Sequence, residues 1–99
     1  LANGIMIDYA LSYNVPSVPE RFVNLATVAG IKNPTPESFI SWLRNLKKEI
    51  GIPANLTEAR ITKDKITRLT DVAFADSCHQ NNPRPCTKDT FSKIFSEAF

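Results

Sequence analysis

Thr35-Pro36-Glu37-Ser38-Phe39-Ile40-Ser41-Trp42-Leu43-Arg44-Asn45-Leu46-Lys47-Lys48-Glu49-Ile50-Gly51-Ile52-Pro53 is the stretch from which the fold can be read. Phe39, Ile40, Trp42, Leu43, Leu46 and Ile50 recur at three- and four-residue steps, which gathers them on one side of a helix. Thr35-Pro36-Glu37 is a start signal: a hydroxyl that can cap the first free amides, and an acid favoured at the positive end of the helix dipole. Gly51 and Pro53 close the helix. The apolar face is wide for a surface helix, so at least two neighbours must cover it.

Those neighbours lie on both sides in sequence. Ser17-Val18-Pro19-Glu20 combines a capping hydroxyl with an acid three residues on, and opens a helix whose inward set is Phe22, Leu25, Ala26 and Ala29, with Gly30 at its end. Before it, Ile5, Met6, Tyr9, Ala10 and Tyr13 mark one side of an opening helix that stops between Asn14 and Pro19. Residues 54–61 read as a connection, and Thr62 caps a fourth helix with Ile66, Leu69, Val72 and Ala73 inward. The polar stretch 76–86 breaks the periodicity, and the prolines of Asn81-Asn82-Pro83-Arg84-Pro85 stiffen it. Thr87 caps the last helix, with Phe91, Ile94, Phe95 and Ala98 on one side. No segment alternates with a period of two, so the fold class is all-α, a helical bundle of about five principal helices.

With 99 residues, 42% hydrophobic and 22% charged, one core is the ceiling, and a chain this short leaves much of its surface wet. Its formal charge of +2 comes from interleaved signs, as in Lys47-Lys48-Glu49 and Lys63-Asp64-Lys65, a pattern that reads as solvated faces. No concentrated basic stripe points to nucleic acid, and no apolar run is long enough for a membrane span. Cys78 and Cys86 are the only cysteines and read as reduced thiols of a cytoplasmic protein. Gly4, Gly30 and Gly51 are too far apart to cradle a dinucleotide phosphate. The chain opens inside an apolar pattern, Leu1-Ala2-Asn3-Gly4-Ile5, without an initiator Met, and the expectation is that something precedes it.

Chemistry-bearing residues are sparse. His79 is the only histidine; with Asp76, Cys78 and Cys86 nearby it lacks the paired, four-ligand spacing of a zinc site and reads as a loop histidine exposed to water. Cys78 as a nucleophile would need a base, and the adjacent His79 does not automatically point the same way, so a thiol lining a pocket or packing in the loop is the better reading. The acids are dispersed, with no indication of a buried pair. Asn55-Leu56-Thr57 reads as a helix-start signal rather than a glycosylation site, and the aromatic set around Trp42 as core.

Three stretches together carry a resemblance. Leu1-Ala2-Asn3-Gly4-Ile5-Met6-Ile7, then Tyr13-Asn14 and Val18-Pro19-Glu20-Arg21-Phe22, resemble the iron-containing alcohol dehydrogenases just after their last metal-binding histidine. Ala75-Asp76-Ser77-Cys78, Asn81-Asn82-Pro83-Arg84-Pro85 and Thr87 resemble the closing loop of that family, and Gly51-Ile52-Pro53 falls where it has a turn after a long helix. The order and spacing cover nearly the whole chain. Departures are Gly4, where Ala is commoner, and Asp8, where a proline is frequent.

The resemblance implies that residues 1–99 are the C-terminal part of a helical domain of the dehydroquinate synthase-like and iron-alcohol-dehydrogenase kind. The implied parent has an N-terminal nucleotide-binding domain and a metal-ligand segment absent from this chain. It interconverts alcohols and aldehydes or ketones with NAD or NADP and Fe2+ or Zn2+. Its metal ligands, one aspartate and three histidines, fall upstream of Leu1, so no catalytic, cofactor-binding or metal residue is assigned here and the isolated chain is expected to be inactive. The one site residue carried over is Cys78, as a wall of the substrate pocket. The implied partners are the rest of the same enzyme and, through apolar faces left uncovered, further copies of the chain. The competing expectation is a stand-alone helical module that binds a partner protein.

Overall fold

The computed structural model describes residues 2–99, and all their side chains except those of Ala2 and Cys78; Leu1, which opens the first family-like stretch, lies outside. The helices are α1 (Ala2–Asn14), α2 (Pro19–Val28), α3 (Pro36–Glu49), α4 (Ile66–Ala75) and α5 (Lys88–Glu97), with short 3-10 turns at Lys63–Lys65 and Ser77–Asn81. No strand occurs among the described residues. These are the five helices expected from the apolar periodicity, close to the expected boundaries.

Helix α1 organises the rest. Both α3 and α5 pack on it, while α2 pairs with α3 and α4 pairs with α5. The apolar interior is accordingly split. Phe22 and Ala26 of α2 meet Phe39, Ile40 and Leu43 of α3, with Leu11 and Val15 beside them; Ile5 of α1, Leu56 and Ala98 form a second cluster with Ile52, Leu69 and Phe95 around it. The molecule measures 40 × 29 × 17 Å. Its thin dimension is less than two helix diameters of about 10–12 Å, so most helices keep a wet face. This explains why Leu25, Ile50 and Val72, expected inside, are exposed. Trp42 is also partly exposed, stacked on buried Phe39 with ring centroids 5.7 Å apart.

Helix ends follow local chemistry, with two departures. Thr35 caps α3 as expected, and its partner in the reciprocal box is Ser38: Ser38 N donates to Thr35 Oγ1 at 3.0 Å and Thr35 N to Ser38 Oγ at 2.8 Å. Thr87 and Thr90 repeat the arrangement at α5. Gly30 and Gly51, at φ 81° and 80°, terminate α2 and α3. There Ile31 N reaches back to Ala26 O and Ile52 N to Lys47 O, bonds that only a left-handed residue between them allows. Ser17 does not cap α2, because turn bonds to Asn14 O continue from α1 and leave Val18, without a side-chain bond, at the cap position. Thr62 does not accept an amide either; its hydroxyl donates to the Asp64 carboxylate, which holds that carboxyl below its usual range, and α4 begins with a 3-10 turn. Asn55 does open a helical turn, its Oδ1 accepting from Glu58 N at 2.8 Å, but the turn ends at once where Arg60 adopts φ 64°.

The largest correction concerns charge. Lys47, expected on a solvated face, is buried, and so is Asp8, one of the acids read as dispersed. Lys47 Nζ donates to Asp8 Oδ1 at 2.6 Å, to Ile5 O at 2.7 Å and to Ala54 O at 3.1 Å, which uses all three ammonium protons. Arg44 Nε donates to Asp8 Oδ2 at 3.0 Å from a half-exposed position. Tyr9 covers the group, its hydroxyl also donating to Ala54 O, and burial pushes its phenol up from the ordinary value. The pair ties α1 to α3 and to the 54–61 connection. Gly4, one turn earlier on α1, lets Ile52 close in: a Cβ there would sit 3.1 Å from Ile52 Cδ1.

Removing one partner of a buried ion pair leaves the other charge dry and uncompensated. Lys47→Met is expected to lower unfolding free energy by about 3–5 kcal/mol, read by urea denaturation, and the double change Asp8→Leu, Lys47→Met to restore part of it. Equal loss in the single and double variants would show that the charge left behind is not the cause.

Candidate functional site

The polar loop after α4 does not float over the surface. It closes against the C-terminal half of α1 and, with α4 and α5, walls a groove of about 570 Å³. Asn3, Ala10 and Tyr13 of α1 line one part, Asp76, His79, Asn82, Pro83 and Cys86 of the loop another, and Phe91 and Ile94 of α5 the rest. The residues on this groove therefore come from stretches some 70 positions apart, as the separations of the bonds between Tyr13 or Asn14 and the loop, 68 to 72 residues, show.

Two sets of bonds hold the loop on α1. Asn14 Nδ2 donates to Asn82 Oδ1 at 2.9 Å, and Asn82 Nδ2 donates back to Asn14 Oδ1 at 2.6 Å, a self-complementary amide ring. Asn82 Nδ2 also donates to Arg84 O at 2.6 Å, and since a carbonyl only accepts, this bond decides which end of the Asn82 amide is nitrogen. The Asn14 orientation then follows. The second set is built on Tyr13: its hydroxyl donates to Pro85 O, Arg84 Nη1 donates to Tyr13 O at 2.7 Å, and the Arg84 guanidinium lies 4.1 Å from the Tyr13 ring centroid. The last turn of α1 contains no basic residue. Arg84 therefore supplies from the far end of the chain both the cation favoured at a helix C-terminus and the donor for one of its free carbonyls.

The thiol of Cys86 sits inside this arrangement, 3.5 Å from Asn82 Nδ2 and 3.4 Å from Arg84 O. Burial pushes it above the ordinary thiol range, against smaller opposing effects of the Asn82 hydrogen bond and the Arg84 charge. His79 differs from expectation. Its ring stacks on Phe74 at 5.1 Å and meets Phe91 edge-on at 5.5 Å, while Nε2 lies 3.0 Å from Phe74 O, so the ring is packed rather than free in water. A carbonyl partner places a proton on Nε2 and leaves Nδ1 to accept when the ring is neutral. Cys78, the sequence-derived pocket residue, lies on the 3-10 turn Ser77–Asn81 one position before His79; its side chain is outside the described residues. Among the described residues no group of three or more His, Cys, Asp and Glu side chains is placed to hold a metal ion. The described donors lining this groove do not fit a resident metal. No described helix is long and apolar enough to cross a membrane.

The whole chain, residues 1–99, matches the family described as Fe-containing alcohol dehydrogenase family, C-terminal, and it belongs to that family. Among its relatives are the NADPH-dependent butanol dehydrogenase of Clostridium saccharobutylicum, 32% identical over 95% of this chain, and the lactaldehyde reductase of Escherichia coli K12, 25% identical over 100% of it. This chain covers 26% and 28% of those two proteins, so it spans about a quarter of their length. Among solved structures, a 1,3-propanediol oxidoreductase superposes with a TM-score of 0.89 at 26% identity, covering 99% of this chain and 27% of that one. An alcohol dehydrogenase from Oenococcus oeni does so with a TM-score of 0.89 at 28% identity, covering 97% and 27%. The resemblance read from the three stretches and the all-α class are thereby established.

A raised folded-state pKa stabilises the protonated thiol. The stability contributed by Cys86 is thus fully present below the unfolded-state thiol value and is lost as pH rises through the folded one. In a Cys78→Ser background, Cys86 is expected to react with iodoacetamide at pH 8 more slowly than a free cysteine peptide, with the rate still climbing at pH values where the peptide has levelled off. A rate profile superimposable on the peptide's would contradict the burial described.

Proposed function

We propose that this chain is the closing helical wall of an NAD(P)-dependent alcohol dehydrogenase of the iron type, which interconverts alcohols and aldehydes or ketones. The nicotinamide and the Fe2+ or Zn2+ ion belong, in this reading, to the rest of the enzyme. Residues 1–99 shape and dry the substrate side of the cleft. The observation that carries it is the clasp between Tyr13-Asn14 and Asn82–Pro85: the two family-like stretches, remote in sequence, meet and build one groove. The family membership and the dehydrogenase and reductase names of the relatives support the reaction class.

The chemistry left to this chain is positioning. An apolar floor of Ala10, Phe91 and Ile94 excludes water from one side, and the loop contributes His79 to the lining, with Cys78 the preceding residue on the same 3-10 turn. Exposed Val28, Ile50 and Val72 are apolar surface of the kind another part of the enzyme or a second copy covers. The isolated chain is therefore expected to be inactive and to self-associate, which sedimentation over a concentration series reads directly; a monomer throughout would count against uncovered faces.

In the full-length enzyme, Cys78→Ala is expected to change the ratio of kcat/KM between a short and a branched aldehyde by about fivefold or more, with the nicotinamide KM unchanged. A ratio identical to wild type would remove Cys78 from the pocket wall. Measurable alcohol-dependent nicotinamide reduction by residues 1–99 alone would overturn the wider reading.

A further inference from the structure

We infer that Asn14 and Asn82 are positioning residues for the substrate wall, acting as one amide pair that sets the 76–86 loop, and with it Cys78 and His79, against α1. This inference rests on the functional reading above. Neither residue is assigned contact with substrate; both act through the loop.

Three features single out the pair. Asn14 is 8% exposed, and its amide meets Asn82 at both ends, so a side chain unable to pair would leave the half-buried Asn82 with its Oδ1 and one of its two amide protons unmatched, the other staying on Arg84 O. The pair joins the helix directly to the loop residue that also organises Arg84 O and Cys86 Sγ, so a displacement at position 82 is transmitted along the loop in both directions. Upstream, Asn82 N donates to His79 O at 3.0 Å, which couples the amide pair to the 3-10 turn that carries Cys78 and His79. The aromatic stacking of His79 is not orientation-specific in the same way: it allows sliding, whereas two antiparallel amide bonds define one distance and one plane.

The experiment uses the full-length enzyme with the changes Asn14→Ala, Asn82→Ala, both together, and Asn14→Asp. Each alanine change is expected to raise the aldehyde KM on the order of tenfold, with kcat and the nicotinamide KM near wild type, and the double change to cost no more than either single one. Amide exchange at residues 77–86 should quicken in the same variants. Asn14→Asp retains the shape; as a carboxylate it can only accept, and once protonated it offers the donor and acceptor of the lost amide. Its aldehyde KM should therefore move toward wild type as pH is lowered, a profile that mere loss of packing does not produce. Additive single effects, an unchanged aldehyde KM, or a pH-independent Asn14→Asp KM would each overturn the inference while leaving the functional reading intact. A wild-type enzyme without nicotinamide-dependent turnover of any alcohol or aldehyde would overturn the functional reading, and the inference with it. Should Asn14→Ala fail to fold, the near-isosteric Asn14→Asp and the loop change Asn82→Ala test the inference in its place.

Discussion

A single ammonium group holds this thin assembly together. Lys47 Nζ places its three protons on Asp8, on the carbonyl of Ile5 and on that of Ala54, so one atom joins α1, α3 and the connection beyond α3. Burying a charge is unfavourable unless every donor is matched, and here every donor is. The apolar interior itself is split into two clusters, with Leu11 and Val15 beside one and Ile5 of α1 in the other. Their relative placement depends on α1, and the placement of α1 on Asp8 and Ile5.

With α1 held, its C-terminus becomes a platform. Leu11 O and Asn14 O are consumed by local turn amides, whereas Tyr13 O is taken by Arg84 from the closing loop. The unfinished hydrogen bonding of a helix end thus captures a distant segment, and the Asn14–Asn82 pair defines how that segment lies. The groove results from these two events. Its polar rim comes from the loop, its apolar floor from helix faces that would otherwise face water.

The same thinness accounts for the exposed apolar residues. Val28 and Val72 stay exposed because no helix of the described residues covers them. The two positions read from the resemblance as departures, Asp8 and Gly4, each have a local partner. Asp8 gains Lys47 and Arg44 as partners, and Gly4 yields its side-chain volume to Ile52.

Helix number, helix ends at Gly30 and Gly51, the caps Thr35 and Thr87, and the family itself were determined by the sequence alone. Each is written in residues within a turn or two of one another, or in ordered motifs, and the physics involved is local. What only the tertiary structure decided was which polar residues go inside. Lys47 sits in a Lys-Lys-Glu run and Asp8 among ordinary helix residues, so nothing near either one announces the other 39 positions away. Asn14 and Asn82 belong to motifs legible in the sequence, yet their pairing across 68 residues, the aromatic packing of His79 and the non-capping roles of Ser17 and Thr62 were not. Hydrophobic periodicity reports the direction a side chain faces; the partner it meets there depends on how the helices dock, and that is a property of the assembled chain.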